Sequence, residues 1–174
     1  MVYSIRTCPV PVIGRINGNA LGGGAGLVSA CDISYAVNTA KFGFTEVKLG
    51  LVPAVISPFV MEKIGKSNAS RYFLTGERFT SEEAKRIGLI SEYFASESEL
   101  DNAVDKLCND LQSSGPNALK ICKELIQKVG TMDYKDKSTK EYVSNVIATV
   151  RVSEEGQAGL NAFLNKQKPS WLKQ

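Results

Sequence analysis

Residues 17–34 read NGNALGGGAGLVSACDIS. Three consecutive glycines, Gly22, Gly23 and Gly24, separate a β-branched run from a small apolar run, and Gly26 follows closely. Residues 10–16 (VPVIGRI) have the composition of a buried strand that stops at Asn17-Gly18. Residues 25–30 are small and apolar enough for a short, tightly packed helix, and residues 32–37 (DISYAV) return to strand character. Strand, glycine turn, helix and strand form a crossover unit, which predicts an α/β architecture with a parallel sheet.

Working outward, residues 41–45 (KFGFT) suit another short extended piece. From about residue 55 the pattern turns helical. Ser57-Pro58 fits a helix start leading into FVMEKIG, and Ser67 suits a cap for SNASRYFL. TSEE at 80–83 and SESE at 96–99 are capping boxes, the first opening a helix that stops near Gly88 and the second a helix to about residue 113. Gly115-Pro116 starts another helix that ends by Gly130, and residues 135–150 and 153–166 read as the last two. The strands are thus expected in the first quarter. Three strands are too little sheet to bury alone, so the chain is expected to be incomplete on its N-terminal side.

The bulk properties exclude several classes. With 174 residues, 43% hydrophobic and 22% charged, the chain is one soluble globular domain by composition. Its net charge of +3 comes from scattered lysines and arginines, so neither nucleic acid nor a membrane surface is an expected partner. There is no histidine, which removes Ser–His–Asp and Cys–His catalysis and any His-ligated metal. Cys8, Cys31, Cys108 and Cys122 show no CxxC spacing, so the sequence predicts free thiols and no metal site, in a cytoplasmic protein.

Bare backbone at the mouth of a helix has a specific use. A helix N-terminus presents unpaired N–H groups and a partial positive charge, and glycine lets an anionic oxygen approach them. Phosphate cradling is one such use; an oxyanion hole, which stabilises charge forming on a carbonyl oxygen, is another. Neither GxGxxG nor GxxxxGK[ST] is present, which disfavours phosphate. A glycine turn that merely permits close helix–sheet packing is the plain alternative.

VIGRINGNALGGGAGLVSACDISYA followed by AKFGFTEVKLGLVP resembles the enoyl-CoA hydratase/isomerase (crotonase) family. The resemblance runs on through TGERFTSEEAKRIGLISEYF to GLNAFLNKQKPSW. It implies an α/β fold: a spiral of ββα turns, incomplete here at its N-terminus, with residues 1–112 as the core. Residues 113–174 would be a helical region that covers CoA and builds a homotrimer or dimer of trimers. The implied substrate is an acyl-CoA thioester, with no cofactor.

Carried over residue by residue, the family's oxyanion donor is the N–H of Gly23, with Gly22 and Gly24 shaping the turn. Glu46, in FGFTE, falls on a catalytic glutamate, and its apolar neighbours Phe42, Phe44 and Val47 favour burial. Gly26 is a departure, because two-glutamate hydratases carry their other acid there. LGLVPAVISPFV is a second departure and is similar to hydratases of methylglutaconyl-type and related branched acyl-CoAs. Gly26 could then leave room for a substrate's second carboxylate. Phe163 and Lys166 match positions that approach the CoA adenine and phosphates. The resemblance implies a lyase that hydrates a 2-enoyl-CoA, with two alternatives: an isomerase using one glutamate, or a non-catalytic CoA-binding or oligomerising piece. The part of the family fold that supplies the second oxyanion donor lies upstream of the residues matched here.

Overall fold

The glycine-rich stretch forms the crossover that its spacing predicts. In the computed structural model, which describes residues 1–172, a short helix α1 (Val2–Arg6) precedes β1 (Ile13–Ile16), and β2 (Ala20–Leu21) leads into α2 (Gly23–Ala30). The chain returns through β3 (Ile33–Val37), which lies parallel to β1 with Ile13 opposite Ile33. β4 (Lys41–Gly43) follows, then a single 3-10 turn, Glu46–Leu49, that ends at Gly50 in the left-handed conformation. α3 (Ser57–Thr75) has proline in its first turn and is broken at Gly65, where φ is 72°. The two helices expected on either side of this point are therefore both present, as two segments separated by the non-helical Gly65.

Three strands were not legible in the sequence: β2, only two residues long, and two later ones. β5 (Arg78–Thr80) and β6 (Glu92–Phe94) lie on either side of α4 (Ser81–Arg86). Both are three residues long, too short for alternation to register. They complete two three-stranded sheets. One is parallel in the order β1-β3-β6, and the other joins β2 and β4 in parallel to an antiparallel β5. The strands are concentrated in the first quarter, as expected, with β5 and β6 lying beyond it.

The described residues fall into two compact units, Met1–Lys106 and Leu107–Gln174. The boundary between these units lies inside α5 (Glu97–Gln112). In the first unit, Phe42, Phe44, Val60, Tyr72, Leu89 and Leu100 are fully buried. Tyr72 and Phe79 pack with ring centroids 4.2 Å apart, and Phe44 meets Phe73 edge-on at 5.1 Å. Ala36 and Val37 of β3 and Phe42 of β4 belong to the same core. Buried Ser81 ties α4 to it, its hydroxyl donating to Val37 O at 2.8 Å.

The second unit contains α6 (Pro116–Val129), α7 (Lys137–Val152) and α8 (Glu154–Leu164). The Glu155 carboxylate accepts the N–H groups of Asn117 and Ala118 at 3.0 and 2.8 Å. An anion from α8 thereby satisfies the N-terminus of α6, where unpaired donors and the helix dipole favour negative charge. Trp171 closes the unit by donating its indole N–H to Ser113 O at 3.1 Å. Ile126, Ile147, Val152, Phe163 and Leu164 of these helices are exposed.

Candidate active site

Helix α2 begins where the chain can turn sharply. Gly22 flanks it with φ 54° and ψ −122°, a conformation open to glycine and costly to other residues. Its N–H donates to Gly43 O at 2.8 Å, so β4 holds the helix mouth. The first helical bond is Gly26 N–H to Gly22 O, 3.1 Å. The N–H groups of Gly23, Gly24 and Ala25 precede that bond and are the end donors that a helix leaves unpaired.

The glycines at this mouth have different jobs. A Cβ at Gly23 or Gly24 would meet nothing within 4 Å, so neither glycine is required for packing in the free protein. Gly23 is exposed. At Gly22 a Cβ would lie 3.3 Å from Glu46 Oε1, which sets the glutamate against the turn. The packing explanation of the glycine run therefore fails at Gly23 and Gly24, where open space faces the helix end.

Glu46 starts the 3-10 turn directly after β4. Phe42 in that strand and Phe44 just after it are fully buried, whereas Val47 is exposed. The Glu46 side chain is half-buried, and its Oε2 is enclosed without a hydrogen-bond partner in the protein. Enclosing a carboxylate oxygen without a partner is unfavourable. Such a group is a functional candidate, and here it stands beside open N–H donors.

Gly26 behaves otherwise than expected. It is buried, and a Cβ there would lie 2.2 Å from Ile56 Cγ2. The room anticipated for a second substrate carboxylate is filled by isoleucine. Sequence reasoning did not pair Gly26 with Ile56, although the two departures that contain them, at position 26 and in LGLVPAVISPFV, were both visible. Their contact spans thirty positions and has no local signal.

At its far end α2 is held by a cation. Val28 O accepts from Ser34 Oγ at 3.3 Å and faces Lys63 Nζ at 3.5 Å. Burial holds the Lys63 ammonium below the ordinary lysine value. A positive charge at a helix C-terminus complements its dipole. Phe163 and Lys166 lie in the second unit at the end of α8, both exposed. Arg71 pairs with Glu77 at 2.7 Å. Among the described residues no cluster of three or more Cys, Asp or Glu is arranged to hold a metal ion, and no helix is long and apolar enough to cross a membrane.

The site thus joins an open glycine helix mouth to a carboxylate whose Oε2 has no protein partner. Residues 1–174 match the profile of the enoyl-CoA hydratase/isomerase family. The chain belongs to that family. A crystal structure of an enoyl-CoA hydratase from Shewanella pealeana superposes with a TM-score of 0.92 at 39% identity, over 98% of this chain and 63% of that one. Among curated relatives, the peroxisomal Delta(3,5)-Delta(2,4)-dienoyl-CoA isomerase of Arabidopsis thaliana is 32% identical over 99% of this chain. The 2,3-dehydroadipyl-CoA hydratase of Escherichia coli is 31% identical over 92%. The chain spans 62% of the length of each of these two relatives. The crotonase-type α/β fold implied by the sequence is the fold observed.

Proposed function

We propose that this chain carries the enolate-stabilising site of an enoyl-CoA hydratase, a lyase that adds water to a 2-enoyl-CoA thioester. The observation that carries the reading is the Glu46 carboxylate, with Oε2 unpartnered, set against Gly22 at the mouth of α2. In this reading the water oxygen bonds the β-carbon, and the double-bond electrons move onto the thioester oxygen. The N–H of Gly23 stabilises that charge, with the α2 dipole behind it. Glu46 takes a proton from the water and returns one to the α-carbon. Gly22 and Gly24 shape the approach, Gly26 backs the helix, and no cofactor is needed because the thioester itself acidifies the α-carbon. Phe163 and Lys166 would meet the CoA adenine and phosphates, lysine acting as a point charge.

A second reading is favoured by one observation. Position 26 is closed by Ile56, so Glu46 is the carboxylate available at the helix mouth, and a single carboxylate suffices to move a proton between carbons of a 3-enoyl-CoA. We further assign the protein to lipid metabolism in the cytoplasm, as a homotrimer or dimer of trimers. The four cysteines outside any disulfide are consistent with the compartment, and the exposed apolar residues of α6–α8 with the assembly. Assay of 2-enoyl-CoA hydration and 3-enoyl-CoA isomerisation separates the two chemistries. Glu46→Gln should lower kcat by roughly 10²-fold or more, the usual scale of general acid–base catalysis, while acyl-CoA binding holds. A variant keeping over half its activity would remove Glu46 from the mechanism; no turnover of either substrate by the parent favours a non-catalytic CoA-binding role.

A further inference from the structure

Gly26 and the VPAVISP stretch, separate oddities along the chain, are one feature in space. A Cβ at position 26 would lie 2.2 Å from Ile56 Cγ2, 2.8 Å from Ile56 Cβ and 3.3 Å from Ile56 Cδ1. Rotation about χ1 can move Cγ2 and Cδ1, but it leaves Cβ in place. The collision is therefore not relieved by a different rotamer. Ile56 is itself tightly placed, being 5% exposed and flanking the start of α3, where its carbonyl accepts Val60 N–H at 3.1 Å. The preceding turn is fixed as well: Ser57 N–H donates to Pro53 O at 3.0 Å, and Ser57 Oγ to Ala54 O at 2.9 Å. Isoleucine at 56 and glycine at 26 are complementary shapes in close-packed surroundings, where a single methylene is felt.

The position of this contact gives it consequence. Gly26 N–H bonds Gly22 O, so the contact with Ile56 is one helical turn from the place where Gly22 meets Glu46. Where α2 could carry a side chain at position 26, branched hydrocarbon fills the space. We propose that Ile56 is a specificity-determining residue of the acyl site, a statement that rests on the acyl-CoA reading above. Its side chain takes the place of any acid on α2, and its branching sets the room available to the acyl group. Glu46 is then left to handle the proton alone, and water reaching the β-carbon is not held by a carboxylate from position 26.

The test is a cycle of Ile56→Ala, Gly26→Ala and the double substitution in the purified protein. Two quantities are read: Tm, and discrimination between a linear ester (crotonyl-CoA) and a β-branched one (3-methylcrotonyl-CoA). Gly26→Ala alone should lower Tm by roughly 4 °C or more, and much of that loss should vanish when Ile56→Ala is also present. Ile56→Ala should shift the kcat/KM ratio toward the branched ester by about 10-fold, the scale of a methylene or two in an apolar pocket. Calorimetric affinities for the saturated butyryl- and isovaleryl-CoA should shift the same way, which reads specificity without turnover. Additive Tm changes would overturn the pairing. A parent that binds both esters and a variant with an unchanged ratio would overturn the specificity role alone. A parent that binds neither ester overturns the acyl-CoA reading, and the specificity role with it.

Discussion

Gly23 and Lys166 show how much can hang on one backbone conformation. Because a Cβ at Gly23 meets open space, Gly23→Val should unfold at nearly the parent temperature. It should nevertheless obstruct approach to the helix mouth and lose transition-state stabilisation of about 3 to 4 kcal/mol, the worth of one oxyanion donor. Paired measurements of Tm and kcat/KM check this, and an equal loss of both would return the glycine to a packing role. Lys166 is the converse case. Its N–H bonds Phe163 O at 3.1 Å and Gln167 N–H bonds Ala162 O at 2.8 Å, a helix ending that favours glycine in the left-handed position. Lysine is found there instead, with φ 54°. Lys166→Gly should stabilise the protein by about 1 kcal/mol in denaturant unfolding, by relief of left-handed strain. It should also weaken CoA binding, if the lysine contacts phosphate as proposed. Stabilisation without loss of affinity would leave Lys166 with no role in binding.

At the scale of the element, α4 shows that a capping pattern can be right about position and wrong about partners. Thr80 Oγ1 accepts Glu83 N–H at 3.2 Å, as the box predicts. The Glu83 carboxylate, however, takes the Arg86 guanidinium at 2.5 and 2.6 Å and the hydroxyl of Tyr72 from α3. Arg86 foremost, helped by Tyr72, holds Glu83 down to about 2 from its ordinary 4.5, while burial opposes the shift. Burial, then the Glu83 carboxylate, pushes Tyr72 up to about 12. A lowered folded-state value means that the unfolded chain takes up the proton first. The stabilisation is therefore complete above about 4.5 and fades as the pH falls toward about 2. Tm followed across that window should decline in the parent and decline less steeply in Glu83→Gln. Identical slopes would mean that this carboxylate does not link folding to acid.

For the whole molecule, the decisive observation is apolar surface. Ile126, Ile147, Val152, Phe163 and Leu164 in the helical unit, and Leu49, Leu51, Val52 and Val55 after the glutamate turn, are all exposed. Exposed apolar surface gathered into patches on a water-soluble protein marks contact surfaces. Size-exclusion chromatography with light scattering should give a mass that is a multiple of the 18.9 kDa of one chain. A stable monomer would mean that these residues tolerate water and would remove the assembly from the proposal.

Much of this was written in the chain's local chemistry. The glycine run, the β-branched segments beside it and the helix starts at Ser57-Pro58, Thr80 and Gly115-Pro116 are short-range instructions, each executed within a few residues. Glu46 was singled out by its match to the family motif, with the phenylalanines beside it favouring burial, and Gly23 by its place in the glycine triplet. Strands β5 and β6 were not legible, because three residues carry no period and acquire strand geometry only by pairing with β4 and β3. Gly26 was visible as a departure, but its meaning was not. Whether a missing side chain leaves a space or admits a neighbour depends on what a distant segment brings to it. Here the loop before α3 delivers Ile56, and steric exclusion between atoms thirty residues apart is settled only when the chain has packed.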